Sequence, residues 1–84
     1  MALTGKSLLN RNVVSDRGTV IGRLVDLSIE TKAGKIIMLI IKPGKGIDIS
    51  NFRINEKGEI YIPFTAVKAI KDVVIINEGG IPRA

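Results

Sequence analysis

Lys35-Ile36-Ile37-Met38-Leu39-Ile40-Ile41-Lys42 sets six consecutive apolar side chains between two lysines. A strand in a small sheet normally has one wet face and alternates apolar with polar residues. This run is apolar on both faces. It is far shorter than the ~18 apolar residues of a membrane span, so it reads as a strand. The chain has 84 residues, enough for one domain and one core. Little mass remains to cover a second sheet face. The run therefore points to a β fold whose outer surface is covered by something else.

Working outward from the run, three short segments share one form: Asp16-Arg17-Gly18, Lys32-Ala33-Gly34 and Glu56-Lys57-Gly58. A three-residue hairpin loop is a type I turn followed by a residue at positive φ, and Gly takes that place without steric cost. Three antiparallel hairpins are predicted. Loop length then sets register. With Lys32-Ala33-Gly34 as the loop, Ile29 faces Ile37, Leu27 faces Leu39 and Val25 faces Ile41 on the core side. On the outer side Glu30 faces Ile36, Ser28 faces Met38 and Asp26 faces Ile40. The same counting pairs Ile54 with Ile60 and Phe52 with Ile62, facing inward. It also pairs Val13 with Ile21 and Val14 with Val20. Pro43 to Asn51 reads as a loop. Its Gly44-Lys45-Gly46 lacks the spacing of a phosphate-binding loop. Pro63 ends the fifth strand, Phe64-Thr65-Ala66-Val67 suits one helical turn, and Val73 to Ile76 forms a last strand, again apolar on both faces. The expected fold is all-β: a small antiparallel β-barrel of about six strands with one short helical turn, because closure removes unpaired edges. The domain is expected over residues 1–76, with 77–84 as a C-terminal tail that Ile81 can anchor.

Composition narrows the chemistry. The chain has no Cys and no His. That removes disulfides, thiolate metal sites, the usual zinc ligand and the usual general base at neutral pH. The expectation is a non-enzymatic protein with no cofactor and no metal. Net charge is +5 without any run of three basic residues. Nucleic-acid binders gather their cations on a face or in a run, and one Tyr and two Phe offer few stacking platforms. The N-terminal Met-Ala-Leu-Thr-Gly-Lys lacks the apolar stretch of a signal peptide. The expected setting is the cytoplasm, with no direct membrane insertion.

Gly5-Lys6, Val13-Val14, the segment Asp16-Arg17-Gly18-Thr19-Val20-Ile21-Gly22-Arg23-Leu24-Val25-Asp26-Leu27, then Gly34-Lys35-Ile36, Ile62-Pro63-Phe64 and Asp72-Val73-Val74-Ile75-Ile76 together resemble the PRC-barrel family over about residues 3–76. The combination of the Gly–Ile-Gly-Arg–Asp segment with the later Ile-Pro-Phe carries the resemblance. The resemblance implies a small β-barrel that serves as a binding module, and in particular a stand-alone archaeal member. Such members look like dimeric scaffolds, some linked to cell division. The family carries no catalytic motif. Its signature residues here, Gly18, Gly22, Asp26 and Pro63, are expected to be structural.

The outer row Ile36, Met38 and Ile40, with Val74 and Ile76 of the last strand beside it, is the expected interface. The expected partner is a second copy of the chain or a paralogous barrel protein, with cell-division proteins as further partners. The rival for the row is the chain itself, through Phe64–Val67 or Ile81. The alternative function is association with the ribosome or RNA, as the barrel domain of ribosome-maturation proteins suggests.

Overall fold

The structure, a computed structural model, describes residues 8–82. Gly5 and Lys6, where the resemblance begins, and the last two residues of the tail lie outside the described residues. Six strands form one sheet: β1 (Asn12–Ser15), β2 (Val20–Glu30), β3 (Lys35–Pro43), β4 (Ile60–Pro63), β5 (Val67–Ile70) and β6 (Val74–Ile76). The order across the sheet is β4-β3-β2-β1-β6-β5. Four ladders are antiparallel, and β1 pairs with β6 in parallel. The fold is thus all-β, as expected, but the sheet is mixed. Single 3-10 turns occupy Ile49–Asn51, Phe64–Ala66 and Glu78–Gly80.

The two outermost strands, β4 and β5, are consecutive in sequence and separated only by the turn Phe64–Ala66. Flat, a six-stranded sheet would hold its edges about 24 Å apart, at about 4.8 Å per strand. Four residue steps reach about 14 Å at most. The sheet must therefore curl strongly, bringing its edges towards each other around a common core. No ladder joins β4 to β5 among the described residues, so the sheet is curled but not closed.

The core lies inside this curl. Leu8, Val13, Ile21, Leu24, Leu39, Ile41, Ile60, Ile62, Ala66, Val74, Ile76 and Ile81 form one buried cluster. Burying a Val, Leu or Ile side chain contributes about 1.5–3 kcal/mol, so this cluster is the main source of stability. Ile81 anchors the segment after β6, and the Asn77 N–H donates to the Ala66 carbonyl at 2.7 Å. Residues 77–81 therefore pack onto the domain and do not trail from it.

Turn chemistry sets two of the hairpins as expected. Gly18 and Gly58 have φ of +87° and +77°, the left-handed region that Gly enters freely. The first loop is closed by Ser15 N–H to the Thr19 carbonyl at 2.8 Å, and Ser15 Oγ, buried, accepts from the Arg17 and Thr19 amides. In the other, the Asn55 N–H donates to the Glu59 carbonyl at 3.0 Å and the Asn55 carboxamide oxygen accepts from two loop amides. The middle hairpin departs from expectation. Its loop is Thr31–Gly34, one residue longer, and Glu30 faces Lys35.

Three bulges then correct the register. Val25 is extra on β2 between the pairs Leu24–Ile41 and Asp26–Ile40, and Ile37 is extra on β3 between Ser28–Met38 and Ile29–Ile36. Ile21 is extra on β2 against β1, so Val13 faces Gly22 and not Ile21. A bulge puts two residues opposite one and turns the strand. The side chains that β2 sends to the core are consequently Ile21, Leu24 and Leu27, three apart, where a regular strand would give a period of two. Val25 does not face Ile41, and Ile29 does not face Ile37. Phe52 packs on the core as expected, whereas Ile54, bridged to Ile60, stays 42% exposed. The expected strand around 52–54 shrinks to isolated bridges, and Val67, expected to close the helical turn, opens β5 (Val67–Ile70) instead.

Gly22 pairs with Pro43 at the end of the β2–β3 ladder, with its backbone tight against that of Lys42. A Cβ there would lie 2.0 Å from the Lys42 carbonyl oxygen, a clash with backbone that no rotamer relieves. We expect Gly22→Ala to lose about 3 kcal/mol or more of stability in urea melts followed by far-UV circular dichroism, at the upper end of overpacked sites because the clash is with backbone. Gly58→Ala, which has open space but a positive φ, should lose only about 1 kcal/mol. Equal losses at the two positions would contradict the close backbone contact.

Candidate interaction surfaces

The core takes some of the side chains expected outside. Val74 and Ile76 are 1% and 0% exposed and belong to the buried cluster. Their strand pairs Val74 with Val13 and Ile76 with Ser15, which are themselves buried. The outward residue of β6 is Ile75. Ile36 is also corrected. The Ile37 bulge reverses the alternation at the start of β3, so Ile36 packs against the core and Ile37, 46% exposed, points out. Of the expected row, Met38 and Ile40 remain on the outer face. Both are half-buried. Met38 lies between Ser28 and Pro63, and Ile40 between Asp26 and Tyr61, on the neighbouring strands. Phe64 and Val67 pack against the core, and Ala66 and Ile81 are buried in it. The chain's own candidates for covering the row are therefore committed elsewhere.

A second apolar row, absent from the sequence reading, crosses four strands. Val20 faces Val14, Val14 faces Ile75, and Ile75 faces Ala69. Val20 is 57% exposed and the other three are half-buried. Open grooves flank the row. One, of about 450 Å³, is lined by Val14, Gly18, Lys68, Ala69, Lys71 and Ile75. The other, of about 240 Å³, is lined by Asn12, Val20, Gly22, Arg23, Lys42 and Gly44. The signal for this row in the sequence is the two-faced apolar strand at 73–76. Its alternation phase was missing, because the parallel β1–β6 pairing that sets it joins residues some sixty apart.

Carboxylates among the described residues serve backbone, turns and one ion pair. Asp26 is exposed, and its carboxylate accepts from the adjacent Leu27 N–H at 2.8 Å. Asp16 accepts from the Glu78 N–H and lies 3.7 Å from the Lys68 ammonium. Asp48 caps the turn Ile49–Asn51, and the Ser50 hydroxyl and amide hold its carboxyl below the usual range. Among the described residues no three carboxylates gather where they could share a cation. A cavity of about 110 Å³ opens between Ser15, Thr19, Ile21, Asn51, Phe52, Glu78 and Ile81. That is well below the ~300 Å³ of a small-molecule site. No helix among the described residues is long and apolar enough to cross a membrane.

Comparison with known proteins agrees with this architecture. The chain is 33% identical over 81 residues to an uncharacterized protein of the archaeon Methanocaldococcus jannaschii, covering 96% of this chain and 88% of the relative. The model of the PRC-barrel domain matches residues 2–80. The signature positions carry structural duties: Gly18 closes a turn, Gly22 permits the close backbone contact, Asp26 bonds backbone, and Pro63 ends β4. The chain belongs to the PRC-barrel domain family.

Proposed function

We propose that this protein is a non-enzymatic interaction module, a homodimeric barrel-like adaptor whose subunits meet through Ile37, Met38 and Ile40. The observation that supports this reading most is an outer apolar row at the middle of the sheet's longest ladder, while Phe64, Val67 and Ile81, the chain's own candidates for covering it, belong to the core. Two-fold symmetry would let each row meet its own copy. The family and the archaeal relative agree with a small stand-alone module, and on the resemblance of the sequence its setting is archaeal cell division, in the cytoplasm. A dimer offers two equivalent sites, which favours cross-linking of partners through avidity.

Magnitudes set the strength of this dimer. Met38 and Ile40 are already half-buried, so each has about 1 kcal/mol left to gain. With Ile37, two subunits gain roughly 6 kcal/mol, against an association cost of about 4–15 kcal/mol. The dimer should therefore depend on concentration. Sedimentation equilibrium should show wild-type mass rising above that of one chain only at millimolar concentrations and higher, since a net gain of about 2 kcal/mol at most lies well short of the ~8 kcal/mol of a micromolar dimer. Met38→Glu should stay folded and weaken association at least tenfold. A wild type that stays monomeric throughout, or a variant that dimerises unchanged, contradicts the interface.

The biological setting has its own test. Affinity purification from the native cell, read by mass spectrometry, should recover division proteins or a related barrel protein. Recovery of ribosomal proteins with no division protein would favour the ribosome-associated alternative.

A further inference from the structure

The charges of this protein are sorted unevenly over its surface. The two grooves that hold the Val20–Val14–Ile75–Ala69 row are lined by Arg23, Lys42, Lys68 and Lys71, against Asp16 as the single carboxylate among their lining residues. The other described residues hold seven cations and seven carboxylates. The mild net charge of the whole chain thus conceals one basic face. On that face the cations form two rims. Arg23 stands opposite both Asn12 and Lys42, which makes a rung of two facing cations next to the row. Like charges directly opposite on neighbouring strands are destabilising, and neither has an ion-pair partner among the described residues. Lys68 and Lys71 bound the row at β5, where Lys68 is the extra residue of a bulge and stands clear of the sheet.

We propose that this face binds an acidic segment of a partner protein, a peptide that lays apolar side chains along Val14, Val20, Ala69 and Ile75 and sets carboxylates against the Arg23–Lys42 and Lys68–Lys71 rims. Peptides that dock on apolar grooves use alternate anchors of this kind, and complementary charge selects partner and orientation. Two observations favour a peptide. The row lines two grooves, which suit a narrow chain better than a flat bilayer. No aromatic side chain stands on these strands to stack a base, since Phe52 and Phe64 pack on the core and Tyr61 is on β4. This surface is separate from the Met38–Ile40 row, so its test stands whether or not the dimer forms.

The test is an amide-shift NMR titration of the intact protein with a synthetic peptide of about twelve residues that alternates glutamate pairs with leucine pairs, a generic acidic amphipathic ligand. Parallel titrations use the same peptide with lysine for glutamate, phosphatidylglycerol-containing vesicles, and an oligouridine. The acidic peptide should shift amides of Asn12–Ser15, Val20 and Val67–Ile76 and spare Met38–Ile41. The lysine peptide should not bind. The double variant Lys68→Glu, Lys71→Glu, with charges reversed at exposed sites, should keep the folded spectrum and weaken binding at least tenfold. Ile75→Ser should weaken it as well without altering the charge. An acidic peptide that leaves these amides unmoved overturns the proposal. So does equal binding of the lysine peptide, or a response of this face to vesicles or oligouridine while the acidic peptide is silent.

Discussion

Close passage of β2 against β3 governs the rest of this structure. The two longest strands pair with the Gly22 backbone tight against the Lys42 carbonyl, while the same stretch of β2 pairs with β1 on its other side. Bulges at Ile21 and Val25 flank this contact. Together they turn the sheet tightly enough for three residues, Phe64–Ala66, to connect its two outermost strands. The same bulges choose which side chains enter the core. Without them β2 would present Val25 and Ile21 on a regular period of two, and the core cluster would lack Leu24.

The surfaces follow from that choice. Ile37 is pushed outward because Ile36 is drawn inward, and Met38 and Ile40 remain outside between the polar residues of β2 and the Pro63–Tyr61 segment of β4. On the other strands, the parallel docking of β6 against β1 buries Val74 and Ile76 and leaves Ile75 beside Val14. The protein therefore carries one nearly uncharged apolar row and one apolar row rimmed by cations. An adaptor needs two chemically distinct surfaces of this sort, since identical ones would compete for the same partner.

Much of this was legible in the sequence, and the remainder was hidden for identifiable reasons. Glycine at the third place of Asp16-Arg17-Gly18 and Glu56-Lys57-Gly58 announces turns that the structure contains, and the pairs Leu27–Leu39, Ser28–Met38 and Asp26–Ile40 follow from counting. Six strands and an apolar excess on β3 were readable as well. Bulges were not, because an extra Val25 or Ile37 has no compositional mark among β-branched neighbours. Each bulge reverses the faces beyond it, which is why Ile36 was assigned outward. The phase of Val74-Ile75-Ile76 failed for another reason. A three-residue strand apolar on both faces takes its orientation from its partner, and that partner, β1, is distant in the chain. The basic face was invisible because its cations, Arg23, Lys42 and the Lys68–Lys71 pair, come from three separate segments with no run between them.

The claim at the centre of this account is that the bulged register leaves Met38 and Ile40 outside as the contact between subunits. Methyl NMR spectra recorded over a dilution series test it most directly. The Met38 and Ile40 methyl signals should move steadily with concentration, together with that of Ile37, while those of Ile41, Ile62 and Ile76 hold still. Movement centred on Ile36, Val74 or Ile76, or no dependence on concentration at all, would contradict it.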